Sequence, residues 1–299
     1  MDRVNPVPAI GLGCVTFGRE IGRDHSFRIL DHAFERGVRF LDTAEAYGSG
    51  ASERVLGEWI ASRGVRDSLV IETKALSNFT APHLLQAISA SLDRLRIPSV
   101  DVYLLHQPDL ATPLEETLDA LAQLRHRGLL RRAGCSNFSL PMLEHAERIA
   151  AAGPRLRLDI TQPNYNLAIR DIEGAYIGFC QSHDIEIVTY SPLAAGFLTG
   201  KYSPAQPPEP GTRFDVIPGH RDIYFTPENF HTLERLRAIS FRTGLSMPQL
   251  AMRWVFENPG IQRVLVGARD IAQLDNAFAA RNAVLHQDPP SLLRQSFLP

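Results

Sequence analysis

Cysteine is scarce in this chain: Cys14, Cys135 and Cys180 are the three in 299 residues. Three thiols cannot build the disulfide framework of a small secreted domain, and no CxxC pair or His–Cys cluster offers zinc ligands. They read as reduced thiols of a cytoplasmic protein. Net charge is nearly absent too, at −2 from 31 basic and 33 acidic residues. A nucleic-acid binder or a membrane-surface protein needs a basic excess, so neither partner is expected. No apolar run approaches the roughly 18 residues that cross a bilayer. The opening MDRVNPVPAI lacks the apolar core of an export signal, so export is not expected. A disordered chain is excluded because 44% of the residues are hydrophobic. The absence of GxGxxG leaves a Rossmann domain unsupported.

What is present is rhythm. Eight apolar runs of strand length alternate with amphipathic stretches: PAIGLGCV, VRFLDT, SLVIETK, VDVYLLHQ, LLRRAGCSN, LRLDITQPN, IEIVTYSP and QRVLVGAR. Several runs are continuous in Val, Ile and Leu, which suits strands buried on both faces. Between them, Phe27, Leu30, Ala33 and Phe34 repeat at helical spacing and Gly37 follows as a C-cap. Leu84, Leu85, Ile88, Leu92 and Leu95 form a second stripe. Thr112-Pro113-Leu114-Glu115 has the form of a capping box with proline at the first helical position. Strict alternation predicts a parallel sheet, and eight units predict an α/β fold closed as a (β/α)8 TIM barrel. Residues 1–299 are expected to form a single domain. The rhythm breaks after the seventh run, from Gly200 to about Pro227, where proline and glycine leave little periodicity. A loop of this length without elements of its own is usually functional, such as a lid. A linker to a second domain is the alternative.

Barrel active sites lie at the C-terminal ends of the strands. Here the apolar runs finish in polar groups: Asp42 with Tyr47 beyond it, Lys74, His106, Ser136 and Asn137, Gln162, Tyr190 and Ser191, and Gly267 to Arg269. Four of these make a chemical set. An ordinary tyrosine, with a pKa near 10, is a poor proton donor at pH 7. An ammonium beside it favours the phenolate, so Lys74 is expected to lower the pKa of Tyr47, with Asp42 holding Lys74. His106 can hydrogen-bond a carbonyl oxygen or relay a proton. Such a set could protonate an oxygen while hydride reaches the adjacent carbon, and no side chain delivers hydride, so a nicotinamide cofactor is implied. Taken singly, each has a plainer role: Asp42 as a loop cap, Lys74 as a barrel-end ion pair, His106 as a core histidine, Tyr47 as a packing aromatic. A different barrel chemistry is the alternative, a Schiff base on Lys74 or a metal on Asp42 and His106; the metal lacks a third convergent ligand.

These residues resemble the aldo-keto reductases, and the resemblance runs in order over nearly the whole chain. GLGCVTFG is similar to the family's first strand. FLDTAEAYGSGASERVLGEWI carries the Asp and Tyr, VIETK the Lys, and DVYLLHQPD the His. GCSNF, TQPNYN, TYSPLAAGFLTGKY and VLVGARDIAQLDN resemble its cofactor-binding segments. The resemblance implies Tyr47 as general acid, Lys74 and Asp42 as its tuning pair, and His106 as the group that orients the carbonyl. It implies NADPH, with NADH possible, as the cofactor of an oxidoreductase that reduces aldehyde or ketone carbonyls of a small molecule to alcohols, or runs the reverse. Ser136, Asn137 and Gln162 would then meet the carboxamide, and Tyr190 would stack on the ring. The stretch with Ser191, Leu193 and Gly196, with Lys201 and Arg213, would meet the pyrophosphate. Gly267, Ala268 and Arg269 open the last helix, where anions are favoured, and Arg269 would meet a 2′-phosphate. Gln273 would reach the adenine.

The sequence departs from the family pattern in three places. Gln273 is followed four residues later by Ala277, with Asn276 one position early, which puts an adenine contact by Asn276 in doubt. The N-terminal segment and the C-terminal tail (QDPPSLLRQSFLP) are both short. The pattern is nearer the bacterial stress-protein and potassium-channel-beta-like branches. The alternative function is therefore a slow, NADPH-holding, redox-sensing subunit of a partner protein. Val15, Phe17 and Phe79 are expected to line an apolar mouth.

Overall fold

The computed structural model describes residues 8–153, 155–283 and Phe297. Eight parallel strands close into a barrel in chain order. They are β1 (Ala9–Gly13), β2 (Phe40–Asp42), β3 (Val70–Ala75), β4 (Val100–Leu105), β5 (Leu130–Ser136), β6 (Ile160–Gln162), β7 (Glu186–Thr189) and β8 (Arg263–Gly267). Each overlaps one of the eight apolar runs, so the expected (β/α)8 TIM barrel is the fold. Helices α1 (Arg23–Glu35), α2 (Ala51–Arg63), α3 (Ala81–Leu95), α4 (Leu114–His126), α5 (Leu140–Ala151) and α6 (Ala175–Ser182) follow β1 to β6. Four helices lie between β7 and β8: α7 (Arg213–Val216), α8 (Arg221–Tyr224), α9 (Pro227–Thr243) and α10 (Met247–Phe256). Helix α11 (Ile271–Asn282) follows β8.

Period two along each strand divides the apolar residues between two cores. Phe40, Val102, Leu104, Ile160, Val188 and Leu265 fill the barrel interior. Their neighbours Leu41, Tyr103, Leu105, Ile187, Val264 and Val266 face outward and pack with the helices. On α3, Leu84, Ile88, Leu92 and Leu95 form the buried stripe that the spacing predicts. Gly37 ends α1 at φ 85°, donating its N–H to Phe34 O at 3.0 Å, a turn that favours glycine.

Two local expectations are corrected. The capping box at Thr112 does not form: α4 starts from Pro113 with no side-chain cap. The Thr112 hydroxyl donates instead to Asp109 Oδ2 at 2.8 Å, a carboxylate that outcompetes the backbone. The segment after Gly200 is not structureless. It contains α7, a 3-10 turn at Pro218–His220, and α8. Tyr202, Phe214 and Tyr224 are buried there. Their rings pack edge-on or stacked with Phe197 and Phe225 at centroid distances of 4.8–6.5 Å. Aromatics spaced irregularly around one ring cluster carry no single period, so the sequence pattern hid the order.

Residues 1–7, where an abbreviated hairpin is expected, lie outside the described residues, as does the tail from 287 except for the buried Phe297. Among the described residues no helix is long and apolar enough to cross a membrane.

Gly134 marks where the barrel is tightest. A methyl group there would strike the backbone oxygen and side chain of Ile160 across the β5–β6 pair. We expect Gly134→Ala to cost about 1–3 kcal/mol by overpacking, read as a fall of several degrees in the thermal midpoint. An unchanged midpoint would mean that β6 yields freely.

Candidate active site

The strand register brings together side chains far apart in sequence. Asp42, the last residue of β2, pairs with Gly13 on one side and Glu72 on the other. Lys74 follows Glu72 at i+2 and therefore shares its inward face. Lys74 is fully buried, at 0% exposure. Its ammonium donates to Asp42 Oδ1, to Thr43 O at 2.9 Å and to the Tyr47 hydroxyl at 3.5 Å. Glu72 Oε1 lies 3.9 Å from the same nitrogen. All three ammonium protons are thus directed.

Tyr47 rides on a turn rather than a strand. Its N–H donates to Ala44 O at 3.0 Å, and Gly48, Ser49 and Gly50 follow with φ of 57°, 52° and 81°. That left-handed run reverses the chain into α2 and leaves the phenol over Lys74. The turn is pinned to β1: Thr43 Oγ1 donates to Ser52 Oγ at 2.9 Å, which donates to Cys14 O at 2.8 Å. Below it, buried Glu53 accepts from Thr73 Oγ1 and Arg94 Nε, each at 2.6 Å, tying α2 to β3 and α3. His106, just past β4, sets its ring edge-on to Tyr47 at 5.6 Å. Its Nδ1 is buried without a hydrogen-bond partner.

The protonation states follow from the surroundings. Burial holds His106 down, and Lys74 reinforces this against Asp42, so its pKa falls to about 4 and the ring is neutral at pH 7. Burial opposes the charge on Lys74, but Asp42, Tyr47 and Glu72 together outweigh it and raise the pKa. Tyr47 departs from expectation. Lys74 does pull its pKa down, but burial and the Asp42 carboxylate push harder, and the phenol is raised to about 12. The correction is physical: the carboxylate that anchors the ammonium also screens it. Tyr47 is therefore a fully protonated donor at neutral pH.

The residues expected to hold a cofactor lie at or beyond the C-terminal ends of β5 to β8. Ser136 Oγ donates to Gln162 O at 2.8 Å across β5–β6. The Asn137 amide donates to His106 O at 3.0 Å and accepts from the Tyr190 hydroxyl at 2.6 Å, which fixes the tyrosine ring. Asn137 sits at φ 61°. Gln162 Nε2 donates to Asp42 Oδ1 at 3.2 Å and to Glu72 Oε1. Both amide hydrogens are spent, so an incoming group meets Gln162 as an acceptor. Beyond β7, Ser191 has φ 55°, Leu193 opens a turn, and Ala194, Ala195 and Gly196 continue it at 51°, 56° and 94°. The Lys201 stem passes Gly196, and its ammonium stands 5.1 Å over the Tyr202 ring.

Arg213 reaches back to Glu20 in the β1 loop at 3.2 Å, and the charges of Arg19 and Arg269 act on it. Gly267 ends β8 beside Gly13, Ala268 is buried and Arg269 is exposed. At the start of α11 the Asp270 carboxylate accepts from Gln273 N, and Gln273 Oε1 accepts from Arg269 N. The Gln273 side chain thus caps its own helix. Asn276 is exposed, whereas Ala277 is in the core.

The apolar mouth differs from the expected one. Phe17 and Phe79 are 0% and 1% exposed and belong to the core between sheet and helices, because each loop folds them back onto the barrel wall. Of the three expected residues only Val15 is partly exposed. Exposed apolar side chains in the loops past β3 and β4 and in the segment from β7 to α8 are Leu76, Leu110, Val216 and Ile223. Glu72 also escaped the reading, although a charged residue two before Lys74 in a buried strand was the signal for it.

Known proteins share this sequence pattern. The sequence model of the Aldo/keto reductase family matches residues 9–295. A "Probable voltage-gated potassium channel subunit beta" of Arabidopsis thaliana is 30% identical over 287 residues, 90% of this chain and 86% of that protein. "Aldo-keto reductase YhdN" of Bacillus subtilis is 31% identical over 283 residues, 89% of this chain and 82% of that protein. With the tetrad residues met at the open end of a closed eight-stranded barrel, the chain belongs to the aldo/keto reductase family.

Proposed function

We propose that this chain is an NADP(H)-dependent oxidoreductase that reduces small aldehydes or ketones, or oxidises the matching alcohols, with Tyr47 as general acid. The observation that carries the reading is the meeting of a protonated phenol, a fixed ammonium and a neutral imidazole at one opening. Family membership supports oxidoreductase chemistry. When bound, a reduced nicotinamide supplies hydride. The residues fit such a group: Gln162 offers an oriented acceptor, Tyr190 a ring held by Asn137, and Arg213 and Arg269 adjacent positive charge.

The chain's own part is proton chemistry. Neutral His106 offers a ring N–H to the carbonyl oxygen. Tyr47 gives its hydroxyl proton to that oxygen. Lys74 then stabilises the phenolate, and Asp42 keeps Lys74 in place. Water at the mouth returns the proton. The three free, buried cysteines suit a reducing compartment, and on this reading the enzyme is cytoplasmic.

A panel of carbonyls and alcohols followed at the nicotinamide absorbance, with both cofactors, tests the reading. No turnover or binding of either cofactor would end it. Exposed Arg269 gives the panel a second arm. In Arg269→Ala the KM for NADPH is expected to rise about tenfold, the value of a charge-assisted contact, with that for NADH nearly unchanged. Equal changes for both cofactors would separate Arg269 from the 2′-phosphate.

The channel-subunit name of the Arabidopsis relative favours one further reading. There the chain holds NADPH tightly, turns over slowly and regulates a partner. A rapid single turnover followed by slow product release distinguishes it from a free-running reductase.

A further inference from the structure

Glu72 is a fully buried acid of the barrel interior that the proton chemistry above does not use. It is fully buried on β3, opposite Asp42 in the β2 register and Val102 in the β4 register. Oε1 accepts from Gln162 Nε2 and lies 3.9 Å from the Lys74 ammonium. Oε2 meets no donor. A buried carboxylate oxygen with no donor is costly, whereas a carboxyl oxygen that carries a proton is itself the donor. The charged groups facing Glu72 are Asp42 from β2, Lys74 from β3, Glu186 from β7 and Arg263 from β8, with the Tyr47 hydroxyl above. Lys74 is already committed to Asp42, so one ammonium stands against two carboxyls.

We propose that Glu72 is a positioning residue for the reaction: it keeps a proton in a hydrogen bond to Asp42 and latches the Gln162 amide through its other oxygen. Two consequences follow for the site. Asp42, Lys74 and a protonated Glu72 sum to zero charge, so Lys74 is not shared between two carboxylates when Tyr47 gives up its proton. An ionised Glu72 opposes the phenolate directly. The latch also fixes which atom of Gln162 a ligand meets. Burial first, and then Asp42, hold the Glu72 carboxyl well above the usual range, against the pull of Lys74.

The latch rests on the cofactor reading; the proton does not. The test therefore has two arms, built on Glu72→Gln, which reproduces the donor and acceptor of a protonated carboxyl, and on Glu72→Leu. A carboxyl raised in the folded state contributes stability that is full below about pH 4.3 and is lost as pH rises. A Gln there does not titrate. Thermal unfolding between pH 5 and 8 should thus show the midpoint of Glu72→Gln gaining on the unmodified protein by about 3 °C per pH unit. A constant or shrinking gap would mean an ionised Glu72 and overturn the proposal.

In the second arm NADPH binding is followed by its fluorescence. Glu72→Gln should stay within about twofold of the unmodified protein, and Glu72→Leu should bind about tenfold more weakly. Equal affinity in all three overturns the latch. If Glu72→Leu does not fold, a loss beyond twofold in Glu72→Gln overturns it instead. If the unmodified protein binds no NADPH, the cofactor reading and the latch with it fail, and the midpoint gap still decides the proton.

Discussion

Carbonyl reduction by Tyr47→Phe is expected to fall about 10²–10⁴-fold, the usual worth of a positioned general acid. NADPH affinity should change less than about twofold. The substitution removes one oxygen and little else. The ring that stands edge-on to His106 at 5.6 Å remains, and so does the turn built by Gly48, Ser49 and Gly50. Lys74 loses its longest contact, 3.5 Å, and keeps Asp42 and Thr43. The two measurements separate chemistry from binding: steady-state turnover at the nicotinamide absorbance, and fluorescence titration of the cofactor. Wild-type turnover in the Phe variant would move the acid elsewhere. A parallel loss of cofactor affinity would mean that the phenol shapes the pocket instead of feeding a proton to it.

The second large effect is on stability. Lys74→Met should destabilise the fold by about 3–5 kcal/mol at pH 7, because it leaves the Asp42 charge buried and short of its partner. Gln162 still donates to Asp42 Oδ1 at 3.2 Å, which softens the loss without cancelling it. The double variant Lys74→Met with Asp42→Leu should regain most of what the single variant loses, since a buried ion pair is often replaceable by apolar groups. Urea unfolding at pH 7 measures both variants. A single-variant cost under about 1 kcal/mol would mean that water reaches Asp42, contrary to its burial.

The barrel was legible because its signal is repetitive. Eight buried strands cannot hide among amphipathic helices, and even the three-residue β2 and β6 stand inside longer apolar runs. The polar strand ends were legible for the same reason: Asp42, Lys74, His106 and Gln162 each break an apolar run. What the sequence concealed depends on partners elsewhere in the chain. Phe17 and Phe79 look like mouth residues until their loops fold them inward. Gln273 looks like a ligand contact until its carbonyl is found on the N–H of Arg269. The net shift of Tyr47 needs the distances of two opposing charges, and only the Lys74 side of that balance was read. The Pro-rich segment hid its aromatic cluster because no period connects Tyr202, Phe214 and Tyr224.

The interior core has a consequence for proton traffic. Phe40, Val102, Leu104, Ile160, Val188 and Leu265 form a dry plug across the barrel. On its far side Arg132 and Arg263 gather around Glu186, at 2.7 and 3.9 Å. Among the described residues this apolar layer separates the Asp42–Lys74 end of the barrel from the Glu186 cluster. On the proposed mechanism, each proton spent by Tyr47 would then be refilled through the same opening by which the product leaves, so departure of the product and recharging of the acid would share one doorway.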